Sequence, residues 1–175
     1  GYYSTGGTVL NQITASLVEV TGKNVGGIDF RLIPGNVISG KVSLPDGDAA
    51  PAGGIQVYIS AETDNGTPNV FEDDYYFGKY VTIPEGKNSA DYSITVMPNA
   101  AESYYIVGYS QYSVDSYLGK GYYGINGMTY YENLAGPVDV SSGDAEGIDL
   151  ELMPARIISG TISLPDGDTA PAGGV

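Results

Sequence analysis

Residues 38–54 read ISGKVSLPDGDAAPAGG, and residues 158–174 read ISGTISLPDGDTAPAGG. The likeness runs without a gap from 1–55 onto 121–175, an offset of 120 positions, and roughly half of the aligned residues are identical. GYY at 1–3 meets GYY at 121–123, and GGIDFRLIPG at 26–35 meets EGIDLELMPA at 146–155. Self-similarity at a fixed offset is the mark of a repeat architecture. The chain is therefore expected to divide into 1–35, the C-terminal part of a preceding repeat; 36–155, one complete repeat; and 156–175, the N-terminal part of a following repeat. Pro34 and Pro154 mark the joints. Pro cannot donate to a strand ladder and stiffens a connection, so units joined this way are expected to be held end to end.

Within the complete unit the dominant period is two. Ile38, Gly40, Val42 and Leu44 alternate with Ser39, Lys41 and Ser43, which predicts a strand with one apolar face; the second copy keeps the pattern at Ile158, Gly160, Ile162 and Leu164. PDGD then supplies turn chemistry. The next strand places Ile55, Val57, Ile59 and Ala61 inside and Gln56, Tyr58 and Ser60 outside. A polar stretch over 62–78 reads as a long loop with a short strand near Tyr75–Phe77. Further strands are expected at 79–84, at 91–97 (Tyr92, Ile94 and Val96 inward), at 104–111 (Tyr105, Val107 and Tyr109 inward), at 137–140 and at 147–153, with a short helical turn around Gly127–Leu134. About seven short strands punctuated by turn residues predict an all-β, antiparallel Greek-key sandwich, repeated in tandem with a 120-residue period.

Composition narrows the functions. The net charge is −14, which disfavours nucleic acid and anionic membrane surfaces as partners, since both need Lys and Arg. The complete unit holds 4 Lys and 17 Asp plus Glu, or −13, whereas the flanks hold 3 basic and 4 acidic residues, or −1. No apolar run approaches the roughly 18 residues of a membrane-spanning helix, so no membrane insertion is expected. Cys and His are absent. That removes disulfides, thiolate metal sites and the commonest general base. With no carboxylate pair set apart from the general acidity, no catalytic residue is assigned and the chain is not read as an enzyme.

Three stretches resemble a known family. ISGKVSLPDGDAAPAGGIQVYI (38–59) and ADYSITVMPNAAESYYIVGYS (90–110) are similar to two hairpins, and GYYGINGMTYYENLAGPVDVSSGDAEGIDLELM (121–153) to the ending seen in bacterial surface repeats, of the carboxypeptidase regulatory-like domain, also called the prealbumin- or transthyretin-like sandwich. The resemblance covers most of the unit outside 62–78. It implies a β-sandwich fold and a setting among tandem accessory modules of secreted or cell-surface bacterial proteins, hence an extracellular or cell-surface location. It carries over no catalytic residue.

Candidate sites come from the residues themselves. Glu72, Asp73 and Asp74, beside Glu62 and Asp64, form the densest acidic patch and are the first candidates for Ca²⁺; Asp46 and Asp48 in the repeated turn, with Asp166 and Asp168 in its second copy, come next. The competing reading is a solvated loop tip and a turn in which Asp caps its own backbone. No cofactor is required. Tyr residues occur in adjacent pairs, and strand neighbours face opposite ways, so Tyr75, Tyr76, Tyr122 and Tyr130 are candidates for an outward contact surface, against ordinary sheet covering. Lys41 on the first strand and Asp149 on the last would suit the crosslink of some pilin and adhesin sandwiches. Alternation turns Lys41 outward, however, and Thr161 replaces it in the second copy, so no crosslink is expected.

The expected function is structural: a stalk, spacer or fibre-assembly module. Its partners would be neighbouring repeats and identical chains, because each flank carries strands whose sheet partners lie elsewhere and is expected to pack on the complete unit or to join a neighbouring chain by strand addition. The alternative is a carbohydrate- or adhesin-type binding module using exposed Tyr and the 62–78 loop.

Overall fold

A computed structural model describes residues 2–9, 14–63, 75–98, 104–114, 116–156, 158–161, 163–165 and 168–169. Alternation of apolar and polar residues builds the main strands, β3 (Asn36–Ser43), β4 (Ile55–Thr63), β5 (Tyr75–Ile83), β6 (Ser89–Val96) and β7 (Tyr105–Ser110). They follow a short hairpin, β1 (Tyr2–Ser4) and β2 (Gly7–Val9). Three brief strands complete the set: β8 (Lys120–Tyr122), β9 (Pro137–Val138) and β10 (Leu150–Glu151). There is no α-helix among the described residues, and none of their segments is a helix long and apolar enough to cross a membrane. The helical turn expected around Gly127–Leu134 is a single 3-10 turn at Glu132–Leu134.

Apart from the separate two-stranded β1-β2 hairpin, the strands form two facing sheets. One has the order β10-β3-β6; the other has β5-β4-β7-β8, with β9 also on β7. The chain alternates between them, β3 to one, β4 and β5 to the other, β6 back again. The inward residues of both sheets make one buried cluster that runs from Ile38 to Leu152. Ile38, Val42, Leu44, Ile55, Val57, Ile59, Ala61, Tyr92, Ile94, Val96, Tyr105, Val107 and Tyr109 are all buried, as period two requires. Each fully buried aliphatic side chain contributes about 1.5–3 kcal/mol. No described residue of 2–37 or 153–169 is buried.

Three elements differ from the sequence reading. β5 is one strand of nine residues, paired with β4 along its whole length from Ile55↔Ile83 to Thr63↔Tyr75, rather than a fragment inside a loop plus a strand at 79–84. β4 extends to Thr63, and an extended ladder needs a partner for its N–H and C=O groups. The strands expected at 137–140 and 147–153 are each only two residues long. Along 144–149, carboxylates stand in for backbone carbonyls: Val37 N–H donates to Asp144 Oδ1 and Lys41 N–H to Asp149 Oδ1, each at 2.8 Å. Finally, the sheets are antiparallel except at one seam, where β10 runs parallel to β3 (Leu150↔Val42, Glu151↔Ser43), extended by an Ile38↔Ala145 bridge.

Candidate functional site

The outer face of the five-stranded sheet collects most of the polar and aromatic chemistry of the body. On β4, Gln56, Tyr58, Ser60 and Glu62 alternate with core residues and point outward. Register places Thr82, Tyr80, Gly78 and Tyr76 of β5 opposite them. On the other side lie Ser110, Gly108 and Ile106 of β7, then Lys120 and Tyr122 of β8. Two glycines sit under rings. A Cβ at Gly78 would run into the Tyr58 ring, and one at Gly108 would lie 2.9 Å from Cδ1 of Tyr122. The rings therefore lie down across the sheet, which a side chain at either glycine would prevent. Tyr58 meets Tyr80 at 5.0 Å between centroids, with planes tilted by 55°.

Charge is gathered at one end of this face. Lys120 Nζ stands 5.6 Å from the ring centroids of both Tyr122 and Tyr130, a cation–π arrangement. The Tyr122 hydroxyl donates to Glu132 Oε2 at 3.1 Å. Burial, followed by that carboxylate, pushes the phenol up to about 12. Glu62 is half-buried, and desolvation raises its carboxyl; the Ser60 hydroxyl, donating at 3.0 Å, pulls the other way, Glu132 adds to the rise and Lys120 opposes it. At the other end, Gln56, Tyr58, Tyr80, Ser110, Tyr112 and Ser113 line a groove of about 550 Å³ that no charged side chain of the described residues enters. Tyr80 and Tyr112 are 66% and 93% exposed there. Gln111 shapes its wall: its amide donates to the carbonyls of Val114 and Tyr117 and accepts from the N–H groups of Ser113 and Val114.

Of the four tyrosines expected on a contact surface, Tyr122 and Tyr130 are brought together by Lys120, and Tyr76 lies exposed on the outer face opposite Glu62. Tyr75 begins β5; its side chain lies outside the described residues. Adjacent-pair reasoning passed over Tyr80, which stands alone in sequence. The signal for it was the spacing Tyr76–Gly78–Tyr80, which puts two rings and a gap on one face. Lys120 and Glu132 left no local pattern.

The candidate cation ligands separate. Glu72, Asp73, Asp74, Asp64 and Asp166 lie outside the described residues. Asp46 is exposed in the turn. Asp48 is engaged: its N–H donates to the Pro45 carbonyl at 3.1 Å, and its Oδ2 accepts the Tyr117 hydroxyl at 2.8 Å. The Asn88 amide closes the same turn by donating to the carbonyls of Leu44, Pro45 and Asp48. Tyr117 in turn bridges Pro154, and Ala155 N–H donates to Ser116. The turn at 45–48 thus ties down the chain at Pro154 and Ala155. No group of three or more Asp, Glu, His or Cys side chains placed to hold a metal occurs among the described residues. Lys41 Nζ pairs with Asp91 at 3.1 Å on the open surface, while Asp149 serves the Lys41 backbone.

No family model, no curated protein and no solved structure matches the chain. Its class is therefore stated from its own architecture: an all-β protein of mainly antiparallel sheets in a sandwich-like arrangement.

Proposed function

We propose that residues 36–155 are one Greek-key sandwich module of a tandem series, with a 120-residue repeat, that works as a stalk, spacer or assembly element of an extracellular protein, in the manner of the carboxypeptidase regulatory-like modules it resembles. One observation carries the reading: the first strand of the body and its last segment are parallel neighbours. Asn36 lies at one pole, and Leu152, whose N–H donates to Ser43, lies at the other. At about 3.3 Å per residue, the eight residues of β3 separate the poles by roughly 25 Å. A chain that arrives at one end and leaves at the other strings its copies into a line, whereas adjacent termini would fold them back. The anchoring of the joint at both poles supports a stiff line. Asn36 donates to the Val140 carbonyl at one pole, and at the other Ala155 is held to Ser116 and Asp48 to Tyr117.

Because the chain has no Cys, spin labels at Pro34→Cys and Ala155→Cys report the pole-to-pole distance directly. A value on the order of 25 Å or more is expected; one below about 15 Å would sink the linear arrangement.

A second reading has its own observation. The uncharged groove of Tyr58, Tyr80 and Tyr112, on a body of charge −13, suits a neutral polyhydroxylated ligand that stacks on rings. Titration of neutral oligosaccharides into the protein and into Tyr80→Ala decides it: binding lost in the variant supports a saccharide module, and no heat from any glycan in either protein removes it.

A further inference from the structure

The seam between β3 and residues 144–152 also decides how the body answers tension. β3 runs from the pole where the chain enters to the pole where it leaves, and the last segment runs beside it in the same direction. A pull on the two joints therefore draws β3 out at one pole and Leu152 out at the other. The two segments are loaded along their length, and the bonds between them lie across the load. Bonds placed in this way are stretched together, whereas bonds peeled from one end give way in turn.

Such an arrangement bears load only if its rungs run the length of the seam. A regular ladder alone would not supply them, because β10 is two residues long and residues 146–149 belong to no strand. Alternate residues of β3 face the last segment. At Val37 the N–H donates to Asp144 Oδ1 and the carbonyl accepts the Ala145 N–H, each at 2.8 Å. At Ser39 the N–H donates to the Ala145 carbonyl at 2.9 Å, and the carbonyl accepts the Ile148 N–H at 3.0 Å. Lys41 N–H donates to Asp149 Oδ1 at 2.8 Å, and the Ser43 carbonyl accepts the Leu152 N–H at 2.8 Å. Two carboxylates thus complete the row where the irregular backbone offers no carbonyl, and a carboxylate is the stronger acceptor.

The rest of the seam is built to keep that row closed. A Cβ at Gly40 would drive into the backbone of Ile148, so the close approach requires a residue without a side chain. From β6, the Tyr92 hydroxyl donates to the Ile148 carbonyl. The two acceptor positions recur 120 residues earlier as Asn24 and Asp29, each with a side-chain oxygen. Lys41, by contrast, becomes Thr161 120 residues later, and the rung at that position uses only the backbone N–H.

We propose that this seam is the load-bearing clamp of the module: tension passed along a tandem series is held in shear between β3 and 144–152, with Asp144 and Asp149 as rungs. The inference rests on the linear reading above, which supplies the direction of the pull.

Single-molecule pulling of the full chain tests it. The chain has no Cys of its own. Handles at Pro34→Cys and Ala155→Cys load the seam in shear. Handles at Pro34→Cys and Ser142→Cys, both at the entry pole, peel it. Rupture through 34 and 155 is expected at the higher force. Forced unfolding is governed by the unfolding rate. Loss of one rung to a carboxylate should raise that rate about tenfold at constant force. Asp149→Ala is expected to do so through 34 and 155, and to leave the first rupture through 34 and 142 unchanged, since peeling starts at Val37 and Asp144. Equal rupture forces in the two directions overturn the proposal. So does an Asp149→Ala chain that unfolds no faster through 34 and 155, because the ties of the exit pole to Ser116 and Tyr117 would then carry the load. The comparison of directions leaves the seam unaltered, so it decides the matter even where Asp149→Ala fails to fold. Either overturning result, with the spin labels still roughly 25 Å apart, leaves the linear module standing; a label distance below about 15 Å removes that module and the load path with it.

Discussion

The phenol oxygen of Tyr109 accepts the backbone N–H of Met153 at 2.9 Å, across 44 positions of sequence. Tyr92 does the complementary thing on the opposite sheet, donating its hydroxyl to the carbonyl of Ile148. The last segment of the body has little ladder of its own, and these two core phenols tie it down from both sides. Burial raises both phenols above their usual pKa, so both stay protonated well past neutrality. Tyr109→Phe keeps the ring and strands the Met153 N–H. A loss of about 1–3 kcal/mol is expected, seen as a lower urea midpoint with an unchanged slope. An unshifted midpoint would mean that the bond contributes nothing to holding the segment.

Alkali should loosen the exit pole. Burial, then the Asp48 carboxylate that its hydroxyl contacts, pushes Tyr117 up to about 12, and Tyr122 reaches a similar value beside Glu132. A phenol whose pKa is higher folded than unfolded holds its proton more tightly in the folded state. Its stabilisation is whole below pH 10 and is lost as pH rises through about 12. Melting temperatures should therefore fall across that window, and Tyr117→Phe should flatten part of the fall. If wild type and Tyr117→Phe show superimposable pH profiles, the Asp48–Tyr117 contact is not formed in solution.

The inward residues of β3, β4, β6 and β7 were legible because period two is a local signal and each of these strands has one buried face. β5 was misjudged at its start because the acidic 72–74 run and Gly78 resemble loop chemistry. What makes Gly78 a strand residue is the Tyr58 ring lying over it from the next strand. The parallel seam of β3 with 145–152 left no trace in either segment. Register between residues more than 100 positions apart is set by packing, and the carboxylates of Asp144 and Asp149 hide its backbone pattern. On the outer face, paired tyrosines pointed to Tyr76, Tyr122 and Tyr130, but Lys120, which joins the last two, is visible only once β8 is laid beside β7.

The seam also sets two glycines apart. Gly40→Ala places a methyl group against the Ile148 backbone, which has no flexible end to move aside. A cost of about 1–3 kcal/mol is expected. Gly160→Ala, the same change at the counterpart position, meets nothing within 4 Å among the described residues and should leave the melting temperature of the body where it is. Paired thermal melts of the two variants measure this; equal losses would show that Gly160 is already enclosed.

Glu62 offers a gain rather than a loss. Its carboxyl is raised mainly by burial, with Glu132 adding to the rise, so at neutral pH the folded chain holds an ionised group that it would rather see protonated. The tighter proton binding favours folding below the ordinary value of 4.5, and that advantage disappears as pH climbs through the raised folded value. Glu62→Gln removes the charge, and its carbonyl oxygen can still accept from the Ser60 hydroxyl. The variant should melt higher than wild type at pH 7, with the difference shrinking toward zero as pH falls below 4.5. A gain that persisted undiminished in acid would come from packing rather than ionisation. A loss at pH 7 would mean that Lys120, 5.6 Å from the Tyr122 ring, draws more from the Glu62 charge than burial takes away.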